Sequence, residues 1–146
     1  MQTRAGIQAL LMAVSVLAAC HSPERDVLML PTAPTSTVPM GSDFTLAPGE
    51  SVVFRNSGMT FTFTRVVSDS RCPTAVTCVW AGSAIIAMRV VNNGTNSDFT
   101  LETVGARRSV VVNNYLVHLT DVTPYPDASG ATPPASFRAI LQISRP

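Results

Sequence analysis

From Gly41 to the C-terminus, apolar and polar residues alternate with a period of two, in short runs broken by turn residues. Met59-Thr60-Phe61-Thr62-Phe63-Thr64 is the clearest run. It sets Met59, Phe61 and Phe63 on one face and the threonines on the other, as a half-buried strand requires. The same pattern predicts strands at Asp43–Leu46, Ser51–Arg55, Met59–Val67, Ala84–Val91, Asp98–Thr103, Arg108–Val112, Tyr115–Val122 and Phe137–Ile143. Within them Ile86, Met88 and Val90 face alike, as do Tyr115, Val117 and Leu119, and Phe137, Ala139, Leu141 and Ile143. Ala47-Pro48-Gly49-Glu50, Asn56-Ser57-Gly58 and Asn92-Asn93-Gly94-Thr95-Asn96 are the turns between runs, and Pro124 to Pro134 is a proline-rich loop. No window carries the capped, apolar i, i+3, i+4 stripe of a helix.

Seven or eight short strands in one domain, residues 41–146, predict an all-β fold. The expected form is an antiparallel β-sandwich, immunoglobulin-like or related, with a small β-barrel as the alternative.

The pattern upstream of Gly41 is different. Ala5 to Ala19 holds 12 apolar side chains of 15, behind the single charge of Arg4. That is shorter than the roughly 20 residues a transmembrane helix needs, and has the length of a secretory signal's apolar region. It ends in Leu17-Ala18-Ala19-Cys20. Small residues followed by Cys at this distance resemble the lipobox of bacterial lipoproteins. The resemblance implies that residues 1–19 are removed and that the new N-terminal Cys20 carries acyl chains, such as palmitate, that hold the protein at a membrane. The competing expectation is an ordinary secretory signal in which Cys20 is incidental. His21 stands where an Asp resembles an inner-membrane retention signal, so the expected address is the outer membrane, facing the periplasm or the cell surface. Residues 20–40 contain Pro23, Pro31, Pro34 and Pro39 among Ser and Thr, the composition of an extended tether. Val27-Leu28-Met29-Leu30 interrupts it as a possible extra edge strand or a contact with lipid or partner.

Charge narrows the partners. The 146 residues contain no Lys, 10 Arg and 9 acids, for a net charge of +1. Loss of Arg4 with the signal leaves the mature chain neutral. A neutral body has no electrostatic footprint for nucleic acid, and none is expected as a partner.

Two further cysteines, Cys72 and Cys78, lie in Ser68-Asp69-Ser70-Arg71-Cys72-Pro73-Thr74-Ala75-Val76-Thr77-Cys78-Val79-Trp80-Ala81-Gly82. Outside the cytoplasm two neighbouring cysteines are expected to form a disulfide. The ring would pin a long excursion between strands, with Trp80 packed on the bridge or capping the core and Gly82 permitting a bulge or close approach. Asp69 and Arg71 have two expected roles. In one, Asp69 caps the turn and Arg71 pairs locally or with a loop acid. In the other, Asp69, Arg71, Pro73 and Trp80 belong to a presented recognition loop, since loops fixed by a scaffold tend to carry binding residues.

Asp69-Ser70-Arg71-Cys72-Pro73, a second Cys and then Trp80-Ala81-Gly82 resemble a family of small bacterial secreted proteins and lipoproteins. Leu119-Thr120-Asp121-Val122-Thr123-Pro124-Tyr125-Pro126 and Phe137-Arg138-Ala139-Ile140-Leu141 are similar to that family's C-terminal part. The resemblance spans about residues 49–144. It implies a β-rich domain and an envelope location, and it carries over no activity.

Catalytic chemistry finds little purchase. A metal site needs three or four convergent ligands, and His21, in the tether, and His118, alternating outward with Val117 and Leu119, do not supply them. The cysteine pair lacks Cys-x-x-Cys spacing. No Gly-x-Ser-x-Gly elbow accompanies a histidine. Nothing selects a catalytic pair from Asp69, Asp98, Glu102 and Asp121. Asn93-Gly94-Thr95 matches a glycosylation sequon but is explained as a hairpin turn. The expectation is a non-enzyme with no cofactor and no metal. It is a lipid-anchored envelope module that binds or builds, in contact with the membrane and with a possible envelope protein. The first alternative is a peptidase inhibitor presenting the disulfide-closed 71–78 loop, and the second a small-ligand carrier with an apolar pocket.

Overall fold

The computed structural model describes residues 36–55, 57–127 and 132–146. The signal segment, Cys20, the body of the tether and Val27–Leu30 lie outside them. Nine strands are formed: β1 Ser36–Val38, β2 Asp43–Leu46, β3 Ser51–Phe54, β4 Thr60–Asp69, β5 Ala84–Asn92, β6 Thr95–Glu102, β7 Ser109–Val112, β8 Tyr115–Thr123 and β9 Arg138–Ser144. They make a five-stranded sheet, β1-β3-β4-β5-β6, and a four-stranded sheet, β2-β9-β8-β7. Every pairing is antiparallel except β1 with β3. The two sheets do not close on each other, so the molecule is a β-sandwich and not a barrel. Among the described residues no helix is long and apolar enough to cross a membrane.

One continuous core fills the space between the sheets. Phe54, Met59, Phe61, Phe63, Ile86, Met88 and Leu101 enter from one side; Leu46, Val117, Leu119, Val122, Leu141 and Ile143 enter from the other. The inward residues of the alternating runs are therefore buried as sets. Full burial of each such side chain contributes roughly 1.5–3 kcal/mol.

Two departures from strict alternation shape the site, and one hairpin turn at the other end moves a strand boundary. In β8, Leu119 and Val122 are both buried although they are three residues apart. A register shift between Leu119 and Asp121 absorbs the odd residue, as a β-bulge does. In β4, shifts between Phe63 and Arg65 and between Val66 and Ser68 carry the strand on to Asp69, two residues beyond the expected end. At the β5–β6 turn, Asn93 and Gly94 both adopt positive φ (47° and 79°). Asn92 then pairs directly with Thr95, so β6 begins three residues earlier than expected. Two central residues of positive φ form the two-residue hairpin that matches strand twist.

Ser36–Val38, expected in the tether, is a strand of the sandwich. It pairs in parallel with Val52–Phe54, and Val38 is buried. A three-residue strand is too short to show alternation, and the surrounding prolines hide it. Pro39 then ends it on a sheet edge, where a missing N–H is tolerated.

Candidate functional site

Residues 70–83 join β4 to β5 and extend their hairpin beyond the body of the sandwich. Antiparallel rungs continue past the paired ends Asp69 and Ala84. Ser70 N donates to Ser83 O at 3.0 Å and Cys72 N to Ala81 O at 3.1 Å. Ser83 N donates to Ser70 Oγ at 3.1 Å. Gly82 permits the narrow neck. Its φ is 66°, and a Cβ there would lie 1.8 Å from Ser70 O, so the expected close approach is real and admits no side chain. Cys72 and Cys78 are joined in a disulfide that closes the tip. Thr74 N, inside the ring, donates to Pro126 O at 3.1 Å and ties the tip to the loop after β8.

Arg71 anchors this hairpin to the opposite sheet. Its side chain is buried, and the residue is 5% exposed. Nε donates to Asp69 Oδ1 at 2.9 Å and Nη2 to Asp69 Oδ2 at 2.6 Å, a two-pronged fit of guanidinium to carboxylate. Nη1 donates to the Val122 carbonyl and Nη2 to the Pro124 carbonyl, the latter at 2.9 Å. The Tyr125 ring lies under the guanidinium, 4.4 Å from centroid to Cζ. Asp121 Oδ1 stands 4.0 Å from Nη1, and accepts from Val122 N at 2.7 Å and Tyr125 Oη at 3.3 Å. The β8 bulge brings Asp121 here, and the β4 bulges bring Asp69. Asp69 Oδ1 also accepts from Arg71 N at 3.1 Å, closing a local turn.

Electrostatics follow from this packing. Burial opposes the charge of Asp69, but the side-chain and backbone hydrogen bonds and the charge of Arg71 outweigh it, holding the carboxyl below its ordinary value. Burial likewise opposes the charge on Arg71, and Asp69, with lesser help from Tyr125 and Asp121, more than offsets it. Among the described residues no buried side-chain nitrogen or oxygen lacks a partner.

The four residues of the expected recognition loop therefore divide. Asp69 and Arg71 take the inward roles, local turn and local ion pair, and Arg71 is not presented. Pro73 is half-buried at the base of the ring. Trp80 neither packs on the bridge nor caps the core: it is 83% exposed, beside Val79 at 90%. Val76 is also half-exposed. Val79 and Val76 escaped the sequence reading because a lone valine in a loop carries no signal until its neighbours are seen to turn inward.

The remaining candidates are apart from this end or already occupied. His118 lies on the outer face of the four-stranded sheet, half-buried, with Nδ1 2.7 Å from Ser109 Oγ. Asp98 pairs with Arg89 on exposed strand surface, and Glu102 binds the Arg107 backbone. Among the described residues no group of three or more His, Cys, Asp or Glu could hold a metal ion. A cleft of about 310 Å³, bounded by Pro48, Val66, Pro126, Pro134 and Phe137 beside Asp69, opens to solvent outside the core.

In comparison with known proteins, no family model, curated protein or solved structure matches the chain.

Proposed function

We propose that this is a bacterial envelope lipoprotein. Acylated Cys20 holds the sandwich at a membrane, and the disulfide-closed β4–β5 tip is the surface with which this binding or structural module makes contact. The observation that carries the reading is the contrast within one hairpin. Its base is locked by Arg71 to the far sheet, and its tip offers Val79 and Trp80 almost wholly to water. A large apolar pair held out on a rigid support is a contact surface prepared in advance, since little conformational freedom remains to be lost on binding.

The anchor is supported by the Leu17-Ala18-Ala19-Cys20 sequence at the end of an apolar run. Membrane fractionation tests it. The wild-type chain sediments with membranes and resists salt extraction, and Cys20→Ser moves it to the soluble fraction. Equal sedimentation of both chains contradicts the anchor.

The inhibitor reading draws on the same preorganised ring. Burial of Arg71 restricts it to the uncharged residues 73–77 as the segment entering a peptidase cleft. Titration of active peptidases with the purified protein tests it: stoichiometric loss of activity, abolished by opening the disulfide, would favour an inhibitor over the module proposed here.

A further inference from the structure

We propose that the occupant of the β4–β5 tip is the lipid bilayer itself. Val76, Val79 and Trp80 enter the interfacial layer of the membrane that carries the anchor. This inference rests on the reading of Cys20 as the acylated residue and specifies what its domain touches.

The chemistry of the segment comes first. No charged residue occurs from Cys72 to Met88, so the ring itself can meet lipid without desolvating an ion of its own, while Arg108 and Asp121 stand beside the neck at Ala81 and Gly82. The side chains offered outermost are two valines and a tryptophan. Tryptophan concentrates at membrane–water interfaces because its ring is apolar and its N–H still reaches a polar partner. The nearest cation, Arg71, is turned inward and satisfied, so it does not hold the tip away from an apolar layer.

The length of the chain between anchor and domain is the second argument. β1 runs parallel to β3, with Ser36 beside Val52, and Val52 pairs with Phe61 of β4. From Phe61, β4 runs toward Asp69 and the tip. Ser36 is therefore the tip-ward residue of β1, but it stands level with Phe61 and Val90, near the ends of β4 and β5 that lie away from the tip. Ser36 is eight strand residues short of Asp69, about 25 Å at the rise of a strand. Cys20 to Thr35 is 16 residues, whose reach is at most about 55 Å. The leash is long enough to let the tip stand on the lipid surface. Acylation at Cys20 would hold the whole domain, tip included, at high effective concentration beside that surface. A contact of two or three apolar side chains is weak alone and suffices as a second attachment beside acyl chains.

The third argument is distribution. Val104 follows β6, with its N–H on Ser83 Oγ, and Tyr125 lies under Arg71, so both exposed side chains join the tip residues at this end. Exposed Val111, in the β7–β8 hairpin, and Met40, beside the Gly41–Ile143 hydrogen bond, are at the other end, and Val67 lies along β4.

The chain's single tryptophan makes the test specific, because its emission reports the tip alone. The acylated mature protein is reconstituted into phosphatidylethanolamine–phosphatidylglycerol vesicles, with and without acyl-brominated lipid. Trp80 emission is expected to shift to the blue relative to the unacylated Cys20→Ser mature chain in buffer, and to be quenched by the brominated lipid. Vesicle flotation of that unacylated chain should fall about 10-fold on Val79→Ser with Trp80→Ser, from the lost apolar area. Water-like, unquenched emission from protein that still floats with the vesicles overturns the inference and leaves the anchor standing. Absence of acyl chains on Cys20 by mass removes the anchor, and flotation of the unacylated chain then decides the tip by itself. A photo-crosslinker at position 80 that captures one envelope protein stoichiometrically, with no lipid adduct, assigns the tip to a protein partner and also overturns the inference.

Discussion

Removing the Arg71 guanidinium would strand the Asp69 carboxylate and two carbonyl oxygens in a site sealed by Tyr125. Breaking a buried pair from one side is costly, so Arg71→Ala is expected to lower stability by about 3 kcal/mol in urea unfolding. Arg71→Lys keeps the charge but loses the fork and the flat stack, and should recover only part of that loss. The same pair sets an acid limit. A carboxyl held below its ordinary value contributes stability that is present above its unfolded value, about 4. That contribution is lost as pH falls through the lower folded value. The unfolding midpoint should therefore drop below about pH 4, with a shallower dependence in Asp69→Asn. At this scale the sequence was ambiguous in a physical way. A charged residue is usually exposed and a tryptophan usually packed, and here their places are exchanged. What reverses them is a pair of carbonyl acceptors at the end of β8 and in the loop after it, more than 50 residues distant from Arg71, that no local pattern announces.

The proposed contact surface is carried by one element, the β4–β5 hairpin. Its ladder continues through the neck independently of the sulfur bridge. Cys72→Ser with Cys78→Ser should accordingly keep the sandwich, cost about 2 kcal/mol from the small ring, and lower the fluorescence anisotropy of Trp80. Loss of the whole β-sheet circular dichroism signal would show instead that the bridge is needed for folding. Gly82→Ala attacks the neck itself. It forces a methyl group onto Ser70 O at a positive φ, and should destabilise by about 2–3 kcal/mol or more. Strand faces were legible because a period of two survives wherever one face is buried, as in β5 and β9. The bulges were not, since they cancel the period where Leu119 and Val122 must both turn inward. Of the tip's chemistry, the cysteines and Gly82 could be read from sequence. The direction of Trp80 could not.

At the scale of the molecule, two unconnected sheets depend on the core between them. Leu119→Ala, wholly buried at the centre of β8, is expected to cost 2–5 kcal/mol and leave the secondary structure unchanged below the new midpoint. β1 begins about 25 Å short of Asp69, and the 16 residues from Cys20 to Thr35 are long enough to cover that distance, so the proposed anchor and the proposed contact surface can act together. That arrangement has meaning only if Cys20 begins the mature chain. Intact-mass and peptide mapping of the protein purified from host membranes tests this most directly. The account predicts an N-terminal Cys20 with covalently attached acyl chains and a non-reduced peptide joining Cys72 to Cys78. An unacylated chain that still begins at Met1, with free thiols at 72 and 78, would contradict it.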